Sequence, residues 1–546
     1  LTTKHGHAPW YRIIALLLGL TLVAAACGSD DEGSGGTDDA AGETTTTEAS
    51  DEPERNPVKG GEIIFGTESD VSSLDVGVAA QPADKVITLG IYDPLTTYVD
   101  GIVEPYLAES LEPATADDLT VWNMTLRSGI TFHDDTPVNA EAVVKHFDRL
   151  KDPATACPCA GSVGIIESME MPDGPEGLDV VFTLNTPSVA FPDLLAGSSG
   201  YLPSPTAVEA LGADFKNAPV GTGPFELAEF VQGDRVVLEA NPDYWQTDED
   251  GTQLPYLDKI TFRPIADANQ RLAALETGDI DMFQTAVSDT VFTAEQRGFA
   301  AQRISGSSST ILLMNGSKPP FDDVRARQAV AYAMDKDAIN ERVYDGVREV
   351  SYSGFATDSP YFNPDATTPQ YDPDRAAELV EELGGLEFSI ICIPTPEADE
   401  VLQLVKQMGE AVGMSISLES QEQGAFVDRM FSRGGDYEAA CFRSSHFIEP
   451  DAIRPGLTTD DPGNLVFYSN PEVDDLLDQA RQTADVEERK ELYFRVQEIT
   501  AEEVPIITTA YDLFGNVYDD ERVGPPPPGE PNSLGAIKPG LLYAVG

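Results

Sequence analysis

Histidine, tryptophan and cationic side chains are all scarce in this chain. Its 546 residues hold five His and three Trp, and 34 Lys plus Arg face 94 Asp plus Glu, a net charge of −60. That balance argues against binding nucleic acid or anionic lipid headgroups. It also disfavours anionic solutes unless the binding surface is locally basic. His5 and His7 precede the first apolar run, which leaves His133, His146 and His446 for the body. No G-x-S-x-G, H-E-x-x-H or G-x-x-x-x-G-K occurs, and no S-x-x-K with a supporting K-T-G, so motifs point to no nucleophile, zinc or phosphate-loop chemistry. Carboxylates are so abundant that chance pairs are expected, and a pair alone is no sign of a glycosidase. Ile13–Ala26 is an apolar run of 14 residues, short of the roughly 20 that a membrane-spanning helix needs.

That run reads as part of a targeting segment. Lys4, His5, His7 and Arg12 form a basic flank, and Val23-Ala24-Ala25-Ala26 puts small residues before Cys27. The pattern suits lipidation of Cys27 after cleavage, although Ala24 stands where a larger apolar residue is usual; plain secretion is the alternative. Gly28–Lys59 is rich in Gly, Ser, Thr and acids, cannot bury enough surface to order itself, and reads as an acidic, disordered tether.

Four cysteines remain. Cys157-Pro158-Cys159 lies in an expected loop outside the cell, where disulfides persist. A disulfide, free thiols and a metal site are the three readings, in that order. Cys392 and Cys441 fall in expected strands and read as buried core thiols.

The body, at 41% hydrophobic residues over the whole chain, is long enough for more than one core. Phe225–Phe230 and Arg235–Ala240 are apolar-rich runs split by Gln232-Gly233-Asp234, a hairpin signal. Gly221 and Gly223 are expected to supply unusual backbone angles beside Pro224. Asp267 caps a short helix that Gly278 ends. Trp122, Met124 and Leu126 alternate as in a half-buried strand. Beyond Phe283 the pattern turns to α/β alternation: strands at Phe388–Ile393, Ser415–Glu419 and Tyr437–Phe442, with helices between. Asp372-Pro373 and Gly384 bracket one helix, and Asp485 with Glu488 opens another.

The segment Asn217–Phe283, with these signals in this order, closely resembles the extracytoplasmic solute-binding proteins of ABC importers, family 5, which includes dipeptide-, oligopeptide- and nickel-binding members. IYDPL (Ile91–Leu95), the run from Val121 to Leu150, SKPPFDDVRARQAVAYAMDKDAI (Ser317–Ile339) and YSNPEVDDLLDQARQTADVEERKELY (Tyr468–Tyr493) match in the expected order. The resemblance implies an α/β, two-lobed periplasmic-binding-protein fold of type II with an extra subdomain. Lobe one should hold 60–284 and 508–546, its subdomain about 86–200, and lobe two 285–507. Hinge crossings are expected near Thr285–Val287 and Ile506–Thr509. It further implies a monomeric receptor without catalysis or cofactor, which captures a solute, most readily a peptide or peptide-like one, for permease subunits with cytoplasmic ATPases. The membrane would be met only through the lipid, on the outer face of the cytoplasmic membrane. A metal chelate, an oligosaccharide or a small cationic metabolite are rival solutes; an envelope interaction protein and a secreted hydrolase are rival classes.

The resemblance also nominates residues. In peptide-binding relatives the loop after the Tyr437–Phe442 strand faces the cleft, and an aspartate shortly before an acidic-Pro pair grips the peptide amine. Here Glu449-Pro450 supplies the pair, while Ser445 and His446 occupy the aspartate's place, so Glu449 or Asp451 would have to substitute. His446 reads either as a cleft donor or as an exposed loop residue. Arg443 suits a ligand carboxylate if it points inward and surface acids otherwise. Ala80, Gln81 and Tyr511, and more weakly Asn315, are carried over as cleft-lining positions. Trp122 and Trp245 look structural.

Overall fold

The computed structural model describes residues 57–79, 81–99, 102–115, 118–355, 357, 359–431, 435–445, 449–461, 463–527 and 537–545. Strands in chain order are β1 (Glu62–Thr67), β2 (Thr96–Val99), β3 (Ile102–Pro105), β4 (Ala108–Thr115), β5 (Asp118–Leu126), β6 (Ile166–Glu170), β7 (Asp179–Leu184) and β8 (Phe225–Val231). They continue as β9 (Arg235–Ala240), β10 (Lys259–Pro264), β11 (Met282–Thr285), β12 (Ala300–Met314), β13 (Leu386–Cys392), β14 (Met414–Ser420), β15 (Ala439–Ser445) and β16 (Ile506–Tyr518).

Ten of them form one sheet in the order β14-β13-β15-β12-β16-β11-β1-β10-β9-β8, and β4-β5-β7-β6 form a second. The long strands β12 and β16 run antiparallel from Ala300 opposite Tyr518 to Leu313 opposite Ile506. At one end β16 pairs with β11; at the other β12 pairs with β15. These two strands carry the chain between its halves, and their register shifts between Ser305 and Ser309 and again between Ser309 and Ile311. Such bulges interrupt the ladder and bend a strand locally.

Apolar spacing decides the layers. Val236 and Leu238 of β9, with Phe65 and Phe262, bury one face of the first half, and the helix Pro82–Ile91 covers it with Val86, Ile87 and Ile91. The second sheet turns Trp122, Met124 and Leu126 of β5 and Val180, Phe182 and Leu184 of β7 onto Phe147 of the helix Ala140–Lys151. The second half packs both faces of its sheet: Met314, Phe388 and Ile390 on one side, Ile391, Leu477 and Val496 on the other.

Local chemistry places the ends. Asp267 accepts from the Gln270 amide at 2.9 Å and Gly278 closes that helix at φ +74°. The helix Pro373–Leu383 begins on Asp372 and ends on Gly384, and Asp485 caps the helix Val486–Glu503. The β8–β9 hairpin turns at Gly233, φ +76°. Gly221 and Gly223 have a different reason from the one expected. Neither has a positive φ; a Cβ there would lie 2.1 Å from the Ile91 carbonyl oxygen and 2.5 Å from the Ile91 carbonyl carbon. Close approach to the end of the helix Pro82–Ile91 excludes any side chain at either position.

Three expectations shift. The helix Ser288–Gln296 buries Val291 and Ala294 against Leu272, Leu275 and Phe283. The chain therefore stays with the first half past Thr285–Val287 and leaves it inside β12. The helix Pro82–Ile91 belongs to the first core, so the subdomain's own core begins at Leu95 rather than near residue 86. Cys392 and Cys441 are joined by a disulfide, not left as thiols. β13 and β15 are parallel neighbours paired through Ile390–Ala439 and Ile391–Ala440, so the next residues on each strand face one another, with Cα atoms 5.1 Å apart, inside bridging range. Cys157 and Cys159 are also bonded to each other. Among the described residues no helix is long and apolar enough to cross a membrane, and no group of His, Cys, Asp and Glu is arranged to hold a metal ion.

Candidate functional site

Near its C-terminal end β15 carries an arginine that is half in solvent. The Arg443 side chain is 55% exposed, and its Nε donates to Asp512 Oδ2 at 2.7 Å. Asp512 itself is buried on β16, where its Oδ1 accepts from Arg348 Nη1 at 2.8 Å. Arg348 also meets Glu397, and its guanidinium lies 3.7 Å from the Tyr344 ring centroid. Burial, and then the nearby Glu397, push the Tyr344 hydroxyl well above the usual phenol range. Asp512 thus joins a buried cation to a half-exposed one. Arg443 also lies over the Phe514 ring, its guanidinium carbon 5.3 Å from the centroid.

Beside Arg443 opens a cavity of about 390 Å³. It is walled by the segment Tyr352–Phe355, by Phe442 of β15, and by Ile453, Leu457 and Ile506. Its size and mostly apolar lining are those of a small-molecule pocket.

The acids expected as substitutes for the amine anchor are already engaged. Glu449 receives both terminal nitrogens of Arg489, one of them at 3.0 Å. Asp451 receives Nε and Nη2 of Arg481 at 2.9 and 2.6 Å. The subdomain reaches this cluster. The Val189 amide donates to the Arg481 carbonyl at 2.9 Å, and Asp193, held by the Tyr98 hydroxyl at 2.7 Å, feels the field of Glu449. Burial and then Glu449 push the Asp193 carboxyl up to about 7, with Tyr98 and Arg489 pulling the other way.

The nominated residues fall in several places. Arg443 lines the cavity. Tyr511 is fully buried and its hydroxyl donates to the Phe355 carbonyl, so it supports the cavity wall from behind. Ser445 is the last residue of β15, paired with Ser308 of β12. Asn315 is fully buried elsewhere, bridging the Tyr437 carbonyl at 3.1 Å and the Ser317 amide at 3.1 Å in the turn after β12. Gln81 borders a separate open depression of about 480 Å³ with Glu68, Asp267, Arg271 and Asp289. Ala80, His446 and Cys27 lie outside the described residues. His133 and His146 are tied to the Gly223 and Ser199 carbonyls; burial lowers both, His146 to about 4. Sequence reasoning missed Asp512 and Arg348. A signal existed: Asp512 is a carboxylate inside the apolar strand Ile506–Tyr518, and an acid in such a strand needs a buried cation.

Two discontinuous halves, two long crossing strands and a lined cavity define a solute-binding architecture. The model of bacterial extracellular solute-binding proteins, family 5, matches residues 103–457, well over half of the chain. The chain belongs to that family, the substrate-binding proteins of ABC importers. It is 28% identical over 490 residues to the glutathione-binding protein GsiB of Shigella flexneri, covering 85% of this chain and 91% of that one. Identity to GsiB of Escherichia coli O6:K15:H31 is 30% over 489 residues, at 85% and 91% coverage. Among solved structures, the ABC transporter substrate-binding protein CtaP of Listeria monocytogenes superposes with TM-score 0.77 at 25% identity, covering 89% of this chain and 100% of that one. DppA of Helicobacter pylori, in complex with the peptide STSA, gives 0.73 at 25% identity, with 90% and 99% covered.

Proposed function

We propose that this solute-binding protein captures a short peptide or peptide-like solute with a free carboxylate, which Arg443 receives. The observation that carries the reading is the arginine itself. It is the charged residue on the cavity wall, it spends one N–H on Asp512, and its two terminal nitrogens make no hydrogen bond to a described residue. A planar fork with unused donors suits a carboxylate. In a chain of net charge −60, Arg443 is the cationic group that the cavity wall offers to an anion. With Glu449 and Asp451 each held by an arginine, no comparable acid among the described residues of this loop is open to a ligand amine. Glutathione binding by the GsiB relatives and peptide binding by DppA support the solute class.

The mechanism we infer is capture rather than catalysis. The halves close about the bulged middle of β12 and β16, and a solute that prefers the closed form shifts the population toward it. Delivery would be to a permease with its ATPases, from a chain anchored through Cys27. Titration calorimetry with glutathione and short peptides tests the reading. Free-acid peptides should bind, and their C-terminal amides should bind at least tenfold more weakly. Equal binding of acid and amide, or binding of neither, would remove Arg443 from the role.

A further inference from the structure

We propose that the cavity beside Arg443 receives a bulky, uncharged apolar group, aromatic or branched aliphatic, carried by the same solute. The inference deepens the function proposed above and rests on it only for the carboxylate. The wall is built from Ile311, Phe355, Phe442, Ile453 and Leu457, and Arg443 is its one charged residue among those described. Of the uncharged polar side chains on the wall, Gln497, Thr368 and Thr500 spend their polarity on the protein backbone. Gln497 donates to the Tyr361 and Tyr493 carbonyls at 2.7 and 3.1 Å and accepts from the Asn363 amide at 3.0 Å. Thr368 donates to the Tyr352 carbonyl at 3.2 Å, and Thr500 to the Val496 carbonyl at 2.9 Å. Buried Lys336 sits behind the wall, donating to the Ser351 carbonyl at 2.8 Å and lying 4.5 Å from the Tyr352 ring centroid. A charged guest would lose its water there and find little in exchange, whereas an apolar guest gains by leaving water.

Two wall glycines measure the room. A Cβ at Gly354 or Gly456 would have nothing within 4 Å, and neither residue has a positive φ. Larger side chains can therefore be added on the rim of the cavity at these positions without a backbone clash.

The test uses the mature chain and two dipeptides, Ala-Phe and Ala-Ala, with 3-phenylpropanoate and acetate as amine-free counterparts, all by calorimetry. Ala-Phe should bind at least tenfold tighter than Ala-Ala, and 3-phenylpropanoate tighter than acetate. Gly456→Leu and Gly354→Leu, checked for folding by thermal melting, should each cut the Ala-Phe to Ala-Ala affinity ratio at least tenfold. A ratio near one in the parent protein, or a ratio unmoved by both fillings, overturns the inference. If Arg443→Ala leaves Ala-Phe binding intact while the fillings still act, the carboxylate reading fails and the cavity assignment stands. If none of the four probes binds, both fail.

Discussion

Two arginine–carboxylate arrays share the second half of the chain and treat solvent differently. In the first, Arg489 and Glu449 are buried together, their side chains 5% and 12% exposed, with Arg489 also reaching the Tyr361 hydroxyl and the Ala480 carbonyl. In the second, Asp512 is just as buried but hands its charge to Arg348 inside and to Arg443 outside. The first array is closed: every charge has its counterpart within the fold. The second ends in Arg443, which is half exposed and lines a cavity. One chemistry thus serves structure in one place and recognition in the other, and what separates them is the fate of the last donor. Charge content alone does not reveal a site; an incompletely spent charge at a cavity does.

The sharpest way to break this contrast is Arg489→Ala. It strands Glu449 in a poorly solvated position with Asp193 nearby. Removing one partner of a buried pair costs about 3–5 kcal/mol. We expect a fall of that size in chemical denaturation, with the cavity's preference among ligands unchanged in whatever protein remains folded. A loss below about 1 kcal/mol, the range of exposed pairs, would mean the array is not closed as described.

A smaller effect should appear in the pH dependence. Asp193 holds its proton up to about 7, against an ordinary value of 3.8, because it is buried and faces Glu449, with the Tyr98 hydroxyl and Arg489 opposing. The folded chain therefore binds a proton that the unfolded chain has lost, and this group makes stability fall as pH rises from about 4 to about 7. Asp93, also raised to about 7 by burial against the hydrogen bonds of Trp245, Tyr244 and Thr222, contributes a slope of the same sign. Buried His146, lowered to about 4, contributes the opposite slope up to its ordinary 6.5. Asp193→Asn removes one of these falling slopes. The melting temperature at pH 5 minus that at pH 8 should shrink relative to the parent; an unchanged difference would show that Asp193 does not feel this array.

How much of this was legible in advance follows the range of each interaction. The β8–β9 hairpin, the caps at Asp267, Asp372 and Asp485, and the alternation of β5 are local, and the residues alone announce them. Arg443 was legible only as a candidate, because its direction depends on Asp512, 69 positions away. The cavity was not legible at all. Its wall draws on Ile311, on Tyr352–Phe355, on Phe442 and on residues 452–508, which only the strand order brings together. The Cys392–Cys441 bond failed for the same reason: β13 and β15 are neighbours although β14 lies between them in sequence. The need for Gly221 and Gly223 was visible, but its cause, contact with Ile91, was not.

The smallest expected effect on stability belongs to the residue with the largest proposed role. Arg443→Ala removes one hydrogen bond and one face-on ring contact from a side chain that is 55% exposed. Asp512 is not stranded by the change, because Arg348 still donates to its other oxygen at 2.8 Å. The loss should therefore stay under about 1 kcal/mol, the value of an exposed ion pair. Against Arg489→Ala this makes a ratio of several-fold between two substitutions of the same residue type in the same half of the chain. The reason is that one leaves an orphan charge and the other does not. Urea denaturation of both variants beside the parent measures that ratio directly. If Arg443→Ala proves as costly as Arg489→Ala, then Arg443 is a member of a closed structural array, and its place on the cavity wall says nothing about ligands.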